Sequence, residues 1–373
     1  MFVFIWGWCA SDCLKEGQDR LGQQPPTNKT IRMNEISGQT NVRSARFGAG
    51  ASEGLGRELG RFLVTTMEVP WGLVKERLGA DPAQVLLVEN MQIETIERQL
   101  EKVGEVDAVL GVGGGQAIDL GKYIAWKRQL PLVTLPTVLS VDAFVTPAAG
   151  IRRGHRVDYV GQSSPDPLVI DYDVLRTAPP ELNIAGVGDL LSIHTACFDW
   201  ELAQKAGVSE YPFSRADVDA ARQILATIMG KAAAIGNCTD EGLQAIVDGY
   251  MRVNTLCLPA GHYRVEEGSE HYLFYELEER LERPFIHGWI VGLGVHLLSR
   301  LQGHQHEQAV AFMKEVGLPH QPRDLEIQKD DLRASLLALN DYVQGRSDLW
   351  YTVLNEQEIT PAWVDEALQT LNF

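Results

Sequence analysis

Between residues 54 and 135 the sequence switches repeatedly between short apolar runs and segments of helical period, and one apolar run ends in three consecutive glycines. Asp107-Ala108-Val109-Leu110-Gly111-Val112 has the composition of a strand. Gly113-Gly114-Gly115 follows at once, and residues 117–126 have helical spacing. Residues 61–66, 84–88 and 131–135 read as further strands, separated by helical segments at 54–59, 73–78 and 93–103. Parallel strands need crossover connections, and the crossover helices cover both faces of the sheet, so this alternation specifies an α/β parallel-sheet domain. Such sheets take ligands beyond the carboxyl ends of their strands.

The glycine triplet sits where such a ligand would lie. Without a Cβ, backbone N–H groups can approach a phosphate, and the helix that follows adds its N-terminal dipole. Asp119 and Lys122 come next on that helix. The spacing is not GxGxxG, and a tight strand-to-helix turn with no ligand reads equally well. Thr137, Ser140 and Asp142 leave the next strand. Their side chains suit phosphate, ribose or hydroxyl contacts, as they also suit an ordinary turn.

Residues 158–169 are turn-rich and close on the strand Leu168-Val169-Ile170-Asp171. After Ala178-Pro179-Pro180 the texture changes, and helical periodicity dominates residues 220–234, 241–256, 287–301 and 331–340. The boundary is placed at Pro180: an α/β dinucleotide-binding domain over 33–180 and an all-α domain over 181–373. With 373 residues the chain is long enough for both. Residues 1–32 read as a disordered leader, or as sequence upstream of a true start at Met33. The apolar stretch at 2–9 is about half a membrane span and lacks the basic flank of a signal peptide.

A formal net charge of −17 excludes a phosphate-backbone binder, which needs a basic footprint. It leaves room for a small anionic substrate. The five cysteines (Cys9, Cys13, Cys197, Cys238, Cys257) form no CxxC pair and no disulfide framework, which fits a reducing cytoplasm.

Asp189, in Ala185-Gly186-Val187-Gly188-Asp189-Leu190-Leu191-Ser192, could join His271 and His287 as one oxygen and two nitrogen ligands of a divalent metal with an open position. A helix is expected over 188–203, with Asp189 near its start, where the carboxylate would also complement the dipole. His271 and His287 each open a helical segment and suit capping or surface roles equally well. The spacing matches no local metal motif.

The combination of motifs resembles the sn-glycerol-1-phosphate dehydrogenases. These belong to the wider superfamily of iron-containing alcohol dehydrogenases, glycerol dehydrogenases and dehydroquinate synthases. The run 169–179, AGVGDLLS at 185–192, Thr195-Ala196, 199–203, GSEH at 268–271, His287-Gly288, GVGGG with Asp119 and Lys122, and LPT at 135–137 carry the likeness over roughly residues 45–370. The resemblance implies a dehydroquinate synthase-like fold. It implies a metal (Zn2+, or alternatively Fe2+ or Ni2+) held by Asp189, His271 and His287. It assigns NAD or NADP to Gly113, Gly114, Gly115, Asp119, Thr137 and Ser140. Asp142 would lie on the substrate side with a catalytic role, and Arg264 would meet an anionic group of the substrate. The implied activity is oxidation of a secondary alcohol, or reduction of the ketone, on a small polyol or polyol phosphate. A cytoplasmic homo-oligomer with no membrane span is expected. The alternative is a sugar phosphate cyclase of the dehydroquinate synthase type that recycles a bound NAD.

The chain departs from the family around the substrate. Val141-Asp142-Ala143 replaces His-Asp-Gly, and the Ser-Arg-Pro segment reads His262-Tyr263-Arg264-Val265-Glu266-Glu267. Glu266 and Glu267 would be unfavourable beside a phosphate dianion unless they point away. Glu68 is the candidate acid for a ribose diol. His194 and His262 are candidate proton carriers. Trp289, Tyr272, Phe274 and Tyr275 suit either the lining of the site or the core, and their helical spacing favours the core.

Overall fold

The computed structural model describes residues 29–32, 41–154 and 156–373. Its strands are β1 (Lys29–Arg32), β2 (Ser44–Gly48), β3 (Phe62–Thr66), β4 (Gln84–Leu87), β5 (Ala108–Gly113), β6 (Leu132–Pro136), β7 (Ala149–Arg153), β8 (Arg156–Val160) and β9 (Pro165–Asp171). Four helices accompany them: α1 (Glu68–Val74), α2 (Ile93–Glu101), α3 (Gly115–Arg128) and α4 (Tyr172–Leu175). From Pro180 the chain is helical. The helices are α5 (Pro180–Leu191), α6 (Ile193–Ala206), α7 (Arg215–Met229), α8 (Ala232–Gly236), α9 (Asp240–Ala260), α10 (Ser269–Leu281), α11 (His287–Gln302), α12 (His306–Val316), α13 (Lys329–Gln344), α14 (Val353–Glu356) and α15 (Pro361–Leu368).

Seven strands form one sheet in the order β1-β2-β9-β6-β5-β3-β4. Every neighbouring pair is parallel except β1 with β2. β3, β5 and β6 are buried at every position, as strands covered on both faces must be. The pleat sorts their residues. Leu63, Val109 and Leu132 lie in register and pack with Ile96, Leu120 and Ile124 on one face. Val64, Leu110 and Val133 face Leu55, Val74 and Leu78 on the other. Burying each such side chain is worth about 1.5–3 kcal/mol. The α/β-plus-helical architecture is the one expected from the sequence.

A third core joins the two halves. Leu139, Leu168 and Ile170 from the sheet side pack with Ile184, Val187 and Leu191 of α5 and Ile246, Val247 and Tyr250 of α9. The helical body is therefore seated on the sheet by apolar contact, next to the carboxyl ends of β5 and β6.

Three expectations change. The leader expected at 1–32 lies outside the described residues apart from Lys29–Arg32, which form strand β1. Residues 156–160 are a strand: β7 and β8 make an antiparallel hairpin apart from the main sheet. The helix expected over 188–203 is two helices. α5 begins with Pro180 in its first turn and ends at Leu191, and α6 restarts after Ser192. Asp189 thus lies in the last turn of α5, and the helix-start reading of its carboxylate fails. Gly186 and Gly188 both lie inside α5, for a packing reason given below.

Candidate metal centre and dinucleotide turn

Asp189 on α5, His271 on α10 and His287 on α11 converge, each offering a ligand atom, with all three atoms within 4.8 Å of one another. Among the described residues this is the one such group of three or more. His287 Nε2 lies 3.0 Å and His271 Nε2 3.6 Å from Asp189 Oδ1. The two rings are 5.3 Å apart between centroids. His271 Nδ1 lies 2.9 Å from Glu270 Oε1. A carboxylate accepts and cannot donate, so Nδ1 carries the proton and Nε2 is left to face Asp189.

Glycines allow this convergence. A Cβ built on Gly188 would stand 1.8 Å from the Gly288 carbonyl oxygen, and one on Gly288 would stand 1.7 Å from that of Ala185. α5 and α11 therefore touch backbone to backbone beside Asp189 and His287. Gly294 does the same for α11 against α10, where a Cβ would meet the Glu270 carbonyl oxygen at 2.5 Å. At Gly186 a Cβ would lie 2.1 Å from the Leu139 carbonyl oxygen. This close packing overrides the low helix propensity of glycine.

The electrostatics suit a cation. Burial pushes the Asp189 carboxyl up, but His287 and His271 outweigh it and hold it well below the usual range. Burial opposes the charged form of His271, yet Asp189 and Glu270 raise its pKa well above the ordinary value. Loss of surrounding water, then the Asp189 carboxylate, push Asp142 up to about 7, with Lys122 and His287 pulling against them. Glu266 is driven well up by burial and then by Asp189 and Asp142. Several carboxylates thus crowd one place, a surplus of negative charge that a divalent cation would offset. The donor set of one oxygen and two imidazole nitrogens fits Zn2+ or Fe2+.

The glycine turn stands close by. Gly113 has φ 142°, a conformation that favours glycine, and its carbonyl accepts the Thr137 N–H at 3.1 Å. Side chains at Gly114 and Gly115 would approach Val138 and Val141 at 3.1 and 2.8 Å. The segment carrying Thr137 and Ser140 therefore lies directly on the turn. No side chain caps α3, and its first turn holds no acid, so its N-terminal N–H groups suit an anionic ligand. Leu139 N donates to Asn183 Oδ1 at 3.2 Å, tying this segment to α5 and the metal group.

The structure places the other candidates as follows. Asp119 pairs with Lys122 at 2.7 Å. Burial raises its carboxyl, while Lys122 and the Gly150 N–H oppose the rise. Lys122, itself buried, also donates to the Ala143 carbonyl at 2.9 Å. Both therefore brace the β7–β8 hairpin and the Asp142 turn. Asp142 opens that turn and faces Asp189 and His287. Glu68 is the exposed first residue of α1, just past β3. Arg264 is not brought to the metal group. It is fully buried, its Nη2 donates to the Tyr351 carbonyl at 3.0 Å, and it lies over the Trp350 ring. The loop turns at Tyr263, whose carbonyl accepts from Glu266 N and Glu267 N, which sends Arg264 one way and Glu266 the other. His194 is held by the His304 carbonyl, and His262 Nδ1 accepts the Arg264 N–H.

Three further residues lie against the ligand histidines, and two of them, Phe274 and Tyr275, read from sequence as site or core with core preferred. Glu270 orients His271. Tyr275 donates to Glu267 Oε1 at 2.6 Å and lies 6.4 Å from the His271 ring, and Phe274 packs edge-on to His287. Tyr159 of β8 is 63% exposed and lies beside Gly150 on the facing strand of the hairpin. Glu270 was visible as the neighbour of His271. Tyr272 is core, its hydroxyl 3.2 Å from the Trp350 carbonyl oxygen.

Residues 65–179 match the iron-containing alcohol dehydrogenase family. Among solved structures, an iron-containing alcohol dehydrogenase from Corynebacterium glutamicum superposes with a TM-score of 0.68 at 17% identity, covering 90% of this chain and 96% of that one. A probable glycerol dehydrogenase from Sinorhizobium meliloti gives 0.67 at 22%, covering 86% and 94%. The fold, with a three-ligand group beside a glycine turn, is similar to that of the iron-containing alcohol dehydrogenases. Curated relatives narrow the class. The glycerol-1-phosphate dehydrogenase [NAD(P)+] of Aeropyrum pernix is 28% identical over 276 residues, 74% of this chain and 77% of that protein. The enzyme of the same name from Sulfurisphaera tokodaii is 26% identical over 309 residues, 81% and 86%. Over these spans the chain is similar to the glycerol-1-phosphate dehydrogenases. Among the described residues, no helix is long and apolar enough to cross a membrane.

Proposed function

We propose that this protein is a metal-dependent, NAD(P)-linked oxidoreductase that interconverts a secondary alcohol and a ketone on a small polyol or polyol phosphate. The observation that carries this reading is the convergence of Asp189, His271 and His287 beside a glycine turn at the carboxyl end of the sheet. Asp189, His271 and His287 would hold the metal: Zn2+ by preference, with Fe2+ or Ni2+ as alternatives. Gly113, Gly114, Gly115, Thr137 and Ser140 would hold the dinucleotide, with Asp119 bracing the hairpin beside it. Bound there, the metal polarises a substrate oxygen, and the nicotinamide accepts or returns a hydride.

The chain's own groups do the rest. Glu270 fixes the His271 ring so that Nε2 faces the site. The Asp142 carboxyl, poised near neutrality, holds or releases at its oxygen the proton that accompanies the hydride. Tyr275 stands beside the His271 ring and holds Glu267. Reduction of the ketone takes one hydride and one proton; oxidation returns both. The free thiols of Cys197, Cys238 and Cys257 accord with a cytoplasmic setting. A homo-oligomer is part of the same proposal.

The test is NAD(P)H oxidation by Zn2+-loaded protein with small ketones, comparing the wild type with Asp189→Ala. Turnover that falls at least about 1,000-fold in the variant supports the reading. Equal turnover in both proteins contradicts it.

A further inference from the structure

In Gly268-Ser269-Glu270-His271, the last two residues supply a ligand and the acid that orients it. The first two meet a second acid from elsewhere in the chain. Asp199 lies on α6 and is fully buried. Its Oδ2 accepts the Ser269 N–H at 2.8 Å across 70 residues of sequence. Its Oδ1 accepts the Val353 N–H at 2.8 Å and Gln302 Nε2 at 3.1 Å. Ser269 opens α10, and Gly268 before it has no side chain with which to cap the helix. The N–H groups at a helix start lack partners within the helix, and a carboxylate placed there also complements the dipole. Asp199 therefore caps α10 from α6. Val353 at the start of α14 and Gln302 at the end of α11 fix the other side of its carboxylate.

The fit at this contact is close. A Cβ on Gly268 would stand 2.8 Å from Asp199 Oδ2 and 2.9 Å from the Cα of Ala196. The next link lies in the same turn. Glu270 Oε1 accepts the Gly268 N–H at 2.6 Å and lies 2.9 Å from His271 Nδ1. By seating Gly268 and Ser269, Asp199 seats that oxygen, and the oxygen sets the ring so that His271 Nε2 faces Asp189. Two acids thus act in series behind one ligand.

We propose, building on the metal-site reading above, that Asp199 is a positioning residue for His271, acting through the Ser269 N–H and Glu270. It touches neither metal nor substrate. Outer partners of metal ligands commonly change metal affinity by about 10–100-fold when removed.

The experiment uses the full-length chain with Zn2+ or Co2+ alone. Competition with a chelator reads Zn2+ affinity, and the visible absorption of bound Co2+ reads the arrangement of its ligands. Asp199→Leu removes both acceptor oxygens at similar volume. Gly268→Ala keeps Asp199 but forces the start of α10 away from it. Each should lower Zn2+ affinity about tenfold or more and change the Co2+ spectrum. Gly268→Ala carries the test if Asp199→Leu does not fold. Gln302→Leu removes a donor to Asp199 at the last residue of α11 and leaves Ser269 in place. It should bind Zn2+ with wild-type affinity and give the wild-type Co2+ spectrum, even where its unfolding midpoint falls. Wild-type affinity and spectrum in Gly268→Ala, or in a folded Asp199→Leu, would overturn the proposal. So would an equal loss in Gln302→Leu, which would mark a general loosening of the helical body. The oxidoreductase reading would stand in each of these cases. A wild-type protein that binds neither ion would fail the metal-site reading and the proposal with it.

Discussion

The glycine turn and the proposed metal centre both depend on glycine, in different ways. At the turn, Gly113, Gly114 and Gly115 are contiguous, and they serve a strand, a helix start and a loop lying on them. At the metal centre, Asp189 and His287 lie 98 residues apart and meet because Gly188 and Gly288 let two helices touch. The first site is a local product of sequence. The second exists once the helical body has packed. Damage to the first should stay local, whereas damage to the second should spread through the packing.

The largest effect should come from Gly288→Val. Its Cβ would start 1.7 Å from the Ala185 carbonyl oxygen, so α5 and α11 must separate. Stability should fall by about 3 kcal/mol or more and the metal should be lost. Denaturant unfolding and elemental analysis check both. A stable variant with full metal content would break the contrast.

Gly115→Val should do less to the whole. Its side chain collides with Val141, and the N-terminus of α3 is obstructed. Dinucleotide affinity should fall about 100-fold by fluorescence titration, with metal content intact. Loss of metal in this variant would show that the two sites are one cooperative unit.

A pH dependence sharpens the contrast from the helical side. Burial, then His320 and His306, lowers the His296 pKa to about 3, and burial lowers that of His194 to about 4. Lys314 and Arg300 add to the depression at His296. Both folded-state values lie below the unfolded value near 6.5, so the unfolded chain binds more protons at acid pH. The stability these neutral rings permit is complete above about pH 6.5 and declines as pH falls toward 4, at up to about 1.4 kcal/mol per unit for each ring. Unfolding free energies across that range should show the slope, and His296→Leu should reduce it. A flat profile in the wild type would contradict the burial argument.

The same division explains what could be read from sequence. β3, β5 and β6 are fully buried strands with unbroken apolar runs, so their period was visible. The β7–β8 hairpin carries Arg152, Arg153, Arg156 and Asp158, whose charges hide the alternation. The ligand types of Asp189, His271 and His287 were legible, but their meeting was not, because it depends on glycine contacts between distant helices. The same contacts hold Gly186 and Gly188 inside α5. Arg264 was assigned to an anionic group by the resemblance, from its place ahead of GSEH. Which side of the loop it takes is decided by the turn at Tyr263 and the ring of Trp350.

The central claim is that Asp189, His271 and His287 form one metal site independent of the glycine turn. It is tested most directly by metal stoichiometry after dialysis, measured together with NAD+ affinity, in the wild type and in Asp189→Ala. The account predicts one divalent ion per chain in the wild type, none in the variant, and the same NAD+ affinity in both. Equal metal content in the two proteins would contradict it.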